Sequence, residues 1–300
     1  MTAVLIRQLT FLLAERRKQY RPLVWRSVVP IRTGIPNWAE KLEVVKLTEQ
    51  GNEPVPHQMG NQKAPVPSYD RSAGYLTLAE FALAYQVFQS ELDRAQVTGI
   101  NVSATKVLAN QRSAEEFLDQ CMSIGRAKYG ITGILRSPDV TVTTLGTPWY
   151  SLQDDEILES ISDAIFAVED QSKQLHKANQ LVMPDNAYRY LGKRTSGNSD
   201  RSLLSIAQEQ NPGVRFVNWF RCRTAGGTLT DDVGSTQRMM ALDSTADVVE
   251  APMVHELQDS EPLKIHHGYE VLQTVKFGSP IIYQPAAIHY KDGDFSGTAV

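Results

Sequence analysis

Ser103 and Lys106 stand at the Ser-x-x-Lys spacing of acyl-enzymes in which a lysine activates a serine. On a helix, three positions apart is one face, so the two side chains would meet. The Lys-Thr-Gly strand and Ser-Asp-Asn element that complete such sites are absent. The same spacing also describes two positions on a solvated helix. Asp154-Asp155 would suit a general acid–base pair, but acids at a helix start also favour the helix dipole. Asp231-Asp232 offer oxygens to a cation, with no further oxygen ligands following at regular spacing. His266 and His267 are adjacent and would point to opposite faces of a strand. His57, His176, His255 and His289 are scattered, and no His-x-x-x-His or Cys-x-x-Cys pair occurs. Gly226-Gly227 is followed by Thr228-Leu229 rather than by a lysine that would reach a phosphate. Asn101-Val102-Ser103 spells a glycosylation acceptor without a secretory context. No catalytic, cofactor-binding or metal-ligating residue is therefore assigned, and a structural or binding protein is expected over an enzyme. A serine acyl-hydrolase using Ser103 and Lys106 is the competing reading from the enzyme class.

A chain of 300 residues can bury roughly 75% of its unfolded surface, enough for a core without staples or metals. Hydrophobic content of 42% against 21% charged residues argues against disorder. A net charge of −4 gives no overall basic footprint for nucleic acid. Cys121 and Cys222 are far apart in sequence and read as buried thiols in a reducing compartment. No apolar run approaches the ~18 residues of a membrane span. The charges Glu15 to Lys18 follow the apolar start rather than precede it, the reverse of a signal peptide. A soluble intracellular protein is the expectation.

The elements that would position these residues are read from periodicity. Residues 4 to 20 form a short amphipathic helix stopped at Arg21-Pro22. Trp38 to Thr48 suits a strand, and Gly51 to Pro67 is too rich in Pro and Gly for a helix. Strand character resumes at Tyr69 and at Tyr75 to Leu78, making 34 to 80 a long excursion of two strands and an extended loop. Such a loop needs a function inside a compact domain. Residues 90 to 127 carry the longest helical signal, centred on 101 to 126. Ala104, Val107, Leu108, Ala114, Leu118, Cys121 and Met122 face inward, with Lys106, Arg112, Glu115, Glu116 and Asp119 outward. Gly130 to Leu135 and Val140 to Thr144 read as strand and turn. A helix from Asp154 buries Ile157, Leu158, Ile161, Ile165 and Val168. Leu181 to Pro184 is a short buried strand. Helices at Asn186 to Leu191 and Leu203 to Ile206, a strand from Val214 to Phe220, a loop over 224 to 236 and strands at Arg238 to Leu242 and Val248-Val249 follow. The tail from Gly268 to Gly293 reads as a hairpin of two strands, the second interrupted at Pro285.

Taken in order, these segments resemble the major capsid proteins of tailed phages, the Hong Kong 97-like fold. More narrowly, they resemble a compact subfamily without a large N-terminal scaffolding segment. The carriers are Tyr75 to Phe81 leading into the long helix, Gly130 to Leu135, Asp155 to Val168 followed by Leu181 to Pro184, and Ile281 to Ile288. The resemblance implies an α+β fold with an N-terminal arm at 1–33 and an extended loop at 34–80. A peripheral domain would begin at 81–150 around the spine helix and close with 252–300. An axial domain would span 151–251, with Thr224 to Thr236 near ring centres. The implied function is a head protein self-assembling through hexamers and pentamers into an icosahedral shell around double-stranded DNA. Its partners would be further copies of itself, scaffolding, portal and decoration proteins, and DNA bound without sequence specificity. No membrane and no cofactor is implied, and the place would be the virion, after synthesis in the host cytoplasm. Some relatives cross-link a lysine to an asparagine; Lys63 lies in the extended loop, but no partner is assignable and no cross-link is expected. An encapsulin-like bacterial compartment of the same fold is the competing shell reading.

Overall fold

A computed structural model describes residues 23–50, 68–91, 93, 102–197, 200–230 and 233–296, with some side chains at the margins of these stretches left undescribed. The expected helix at 4 to 20, the loop tip at 51 to 67 with Lys63 and His57, and Asp231-Asp232 lie outside the described residues.

The chain opens with a single turn of helix, α1 (Trp25–Val28), and a short strand, β1 (Ile31–Arg32). Strands β2 (Lys41–Gln50) and β3 (Ser68–Phe88) follow, then the long helix α2 (Val102–Ser123). Short strands β4 (Gly125–Arg126), β5 (Ile131–Thr132) and β6 (Thr141–Thr144) lead to helix α3 (Asp154–Gln171). Next come β7 (Gln180–Met183), α4 (Asp185–Lys193), α5 (Leu203–Gln210) and β8 (Arg215–Asn218). The chain finishes all-β: β9 (Gly226–Thr230), β10 (Val233–Leu242), β11 (Val249–Asp259), β12 (Leu263–Ile265), β13 (Gly268–Gly278), β14 (Ile281–Ile282) and β15 (Ile288–Gly293).

Two main sheets organise these strands. In the first the order is β1-β11-β13-β3-β2; in the second it is β6-β15-β10-β7-β8. The second sheet is covered on both faces, which is why β7 is buried at all four positions. Leu181, Met183, Met239 and Ala241 pack with Ile157, Ile161 and Val168 of α3 and with residues of α4 and α5. Val182, Met240, Leu242 and Tyr290 face instead a core shared with α1, α2 and the first sheet. One acid in the first turn of α3 caps it: Glu156 accepts from the Gln153 backbone N–H at 2.8 Å.

Several expectations are corrected. The tail is not a hairpin: β13 lies in the first sheet, whereas β15 pairs β10 and β6 in the second. Pro285 supports a turn of 3-10 helix between them, where the chain changes sheets. Residues 224 to 236 are not a loop. Most of that stretch is the antiparallel pair β9 and β10, since the residue types Thr228, Thr230 and Val233 favour strand over coil. Gly130 to Leu135 is strand and turn as expected: β5 (Ile131–Thr132) is followed by a 3-10 turn that starts at Ile134. Strand β8 ends at Asn218, and 3-10 helix begins at Phe220. On α2, Asp119 is buried rather than outward, while Leu108 is 46% exposed rather than inward. Among its described side chains, those in the second half reach the core.

Candidate assembly surfaces

Of the residues singled out for chemistry, Lys106 and Asp154 are held in ion pairs. Lys106 Nζ donates to both Glu91 carboxylate oxygens at 2.7 and 2.9 Å and to the Gln86 carbonyl at 2.7 Å. This ion pair ties the start of α2 to the end of β3, and the Ser103 side chain lies outside the described residues. Asp154 pairs with Arg194 at 2.6 Å, while Asp155 is exposed on the first turn of α3. His266 and His267 form the turn between β12 and β13. Among the described residues no three His, Cys, Asp or Glu side chains gather as a metal site. Gly226 needs its missing side chain for packing: a Cβ there would lie 2.4 Å from the Asp292 carboxylate. Cys121 and Cys222 are buried free thiols, and burial pushes the Cys222 thiol well above its usual range.

Two charged groups inside the molecule, Arg238 and Asp119, are neutralised by specific partners. Arg238 meets Asp292 through two parallel bonds of 2.6 and 2.7 Å and donates a third to the Leu135 carbonyl. Its guanidinium lies 4.5 Å from the Tyr290 ring centre, and the Tyr290 hydroxyl donates to the Ile134 carbonyl. Asp119 accepts from Trp219 Nε1 at 3.1 Å and Arg221 Nε at 2.8 Å, joining α2 to the strand end beyond β8. Periodicity alone missed both networks. The available signal was a charge flanking an apolar run, Arg238 before Met239-Met240-Ala241-Leu242.

The outer surface is shaped by β3. Its first ten residues pair with β2 and its remaining eleven with β13. Among the described residues β2 pairs with β3 alone, so the two strands leave the sheet as a ribbon. At ~3.3 Å per residue, its described part is about 33 Å long. Two-stranded ribbons are marginally stable by themselves in water. Near the ribbon base Trp38 is 83% exposed and Tyr75 is 72% exposed. Large aromatics so placed are typical anchors of protein interfaces. Sequence reading missed both as contact residues, because a strand pattern does not say which face is left uncovered.

Helix α2 lies on the other part of β3. Phe81, Phe117, Phe277 and Tyr129 pack edge-on and stacked with ring centres 4.8 to 6.2 Å apart. Asn110 donates to Gln273 at 2.9 Å, and Gln273 donates to Asp259 at 2.6 Å. Arg26 bridges Glu115 on α2 and Glu256 on β11, each at 2.7 Å. The spine is thereby fixed at its sheet side, and its opposite side stays open over the first half. No helix of the described residues is long and apolar enough to cross a membrane.

The whole arrangement is shared with solved shells. The capsid of Myoviridae phage XM1 matches over 96% of this chain and 97% of that one, with a TM-score of 0.81 at 18% identity. The capsid of a native GTA particle matches over 95% of both chains, with a TM-score of 0.68 at 12% identity. The Mycobacterium phage Ogopogo structure covers 97% of this chain and 98% of its own, with a TM-score of 0.62 at 14% identity. No curated protein sequence shows significant similarity to the chain. The family model described as major capsid protein matches residues 62–293. With that match running over all of strand β3, the spine helix and both sheets apart from β1 and β2, the chain belongs to the major capsid protein family.

Proposed function

We propose that this chain is the repeating subunit of an icosahedral shell built from hexamers and pentamers around double-stranded DNA. The observation that carries this reading is the ribbon of β2 and β3. It extends beyond its own sheet, pairs with no third strand among the described residues, and carries Tyr75 open to solvent, with exposed Trp38 beside its base. Contact with a neighbouring copy would cover it and offset the entropy of ordering it. The same sequence filling six-fold and five-fold rings needs a rigid body with an adaptable arm. The two cores supply the first, and the ribbon supplies the second.

In this reading residues 1–33 are an arm and 34–80 the extended loop, its second strand running on to Phe88. The peripheral part is α2 with the first sheet, and the axial part is the second sheet with α3 to α5. Strand β15 belongs with the axial part by its pairing to β10. A net charge of −4 is compatible with enclosed DNA, because counterions neutralise most phosphate charge.

Electron microscopy and sedimentation of the purified protein, alone and with neighbouring head proteins, test the proposal. Closed particles containing nuclease-protected DNA are expected after assembly in the host. Deleting residues 52 to 66 is expected to leave a folded subunit that no longer closes a shell. Normal particles from the deleted chain would refute the intersubunit role of the ribbon. Particles that enclose a protein instead of DNA would favour a compartment.

A further inference from the structure

Lys276 is a buried cation. It sits in the middle of β13, opposite Glu80 of β3 and His255 of β11. Alternation along β3 shows what surrounds it: Phe81, Leu83 and Tyr85 are half-buried, while Glu80, Ala82, Ala84 and Gln86 are exposed. Phe277 and Phe81 turn toward α2, so Lys276 belongs to the opposite, largely open face of the sheet. Yet it is only 8% exposed. The connector from Thr33 to Glu40 covers it, and Lys276 Nζ donates to the Asn37 carbonyl at 2.7 Å. Among the described residues no carboxylate lies within ion-pair distance of it. A buried charge held by a neutral carbonyl is costly, so its placement calls for a reason other than stability.

The connector is where the ribbon leaves the body. Gly34 has a φ of +84°, and Ala39 N–H closes a turn onto the Pro36 carbonyl at 3.0 Å. Leu78 N–H then starts the ribbon ladder on the Glu40 carbonyl at 2.9 Å. Behind it, Arg32 anchors the arm to Glu250 and Tyr283 at 3.1 and 3.2 Å. Between the connector and the ribbon base is a cleft of about 390 Å³, lined by Gly34 to Pro36 and Leu42 to Val45. The cleft separates part of the connector from the ribbon it leads into, and Lys276 pins the connector to the sheet.

We propose that Lys276 is a positioning residue for assembly: by holding the Asn37 carbonyl it sets the angle at which the ribbon meets a neighbouring copy. Only the last step rests on the shell reading. Hydrogen exchange on unassembled subunits compares the natural protein with Lys276→Met and Lys276→Arg, followed by microscopy of assembled particles. In Lys276→Met the Ala39 and Leu78 amides should exchange roughly tenfold faster, with β7 unchanged, as expected for a local opening. Particles of that variant should be heterogeneous in size, and Lys276→Arg should restore both properties. Unchanged exchange at Ala39 and Leu78 would overturn the proposal, as would a uniform loss of protection that includes β7. If Lys276→Met does not fold, Lys276→Gln gives the same comparison, and failure of both to fold would make Lys276 a core residue and overturn it. Should the natural protein form no particles, the shell reading fails while exchange still decides the latch.

Discussion

Strands β7 and β2 follow opposite rules within one chain. All four residues of β7 are buried between the helices α3 to α5 and the core shared with α1, α2 and the first sheet, whereas described side chains of β2 alternate between half-buried and exposed. One strand is completed by its own chain, and the other is left for another molecule to complete. A subunit that must fold before it assembles keeps its stability in the first kind of region and its recognition in the second. Mutations should therefore separate cleanly, some abolishing the subunit and others only the particle.

The largest expected effect belongs to the core. Leu118 is 2% exposed on the buried half of α2, and Leu118→Asp should prevent folding, since an unpaired buried charge costs more than about 4 kcal/mol. Circular dichroism of the expressed protein checks this; a cooperatively folded variant would break the contrast. Next is Asp292→Asn, which leaves Arg238 without its bidentate partner. The expected loss is about 3–5 kcal/mol, read from urea unfolding midpoints. Trp38→Ala should shift subunit stability by no more than about 0.5 kcal/mol yet weaken assembly by about 2 kcal/mol or more. Calorimetry of the subunit and sedimentation of particles separate the two numbers, and a large stability loss would show that Trp38 serves its own chain.

The smallest effect is a pH dependence within the second sheet. His289 is buried, with the Gln171 amide at 2.7 Å from Nδ1 and Thr143 Oγ1 at 2.9 Å from Nε2. Burial first, and then the nearby Lys291 charge, hold its pKa below the ordinary 6.5. The unfolded chain therefore takes up the proton first as the pH falls. Stability should be complete above pH 6.5 and decline as the pH drops from there toward the folded-state value. Unfolding midpoints at about pH 7.5 and about pH 5 should differ more for the natural protein than for His289→Gln.

Much of this architecture was legible from residue order. The apolar stripe of α3 and the short buried strand at Leu181 to Met183 appear where periodicity puts them, because both are decided by local pattern against one core. The ribbon was legible as an excursion, from two strand patterns separated by a Pro- and Gly-rich stretch. Three features were not legible. That β15 leaves β13 for another sheet depends on pairing with β10, which lies about fifty residues earlier and carries no local mark. Asp119 looked solvated because acids usually are, and its partners Trp219 and Arg221 come from a distant segment. Lys276 reads as an ordinary exposed strand residue, since only the connector crossing over it makes it buried. Patterns report which face is apolar, and long-range topology decides what covers the rest.

Because β3 is one continuous strand, pulling on its free end travels straight into the body of the subunit. Its eleven pairs with β13 lie side by side across the direction of that pull, so they bear tension together instead of peeling open in turn. A container built from such subunits would resist internal pressure through its hydrogen-bonded ladders even where neighbouring surfaces touch only lightly.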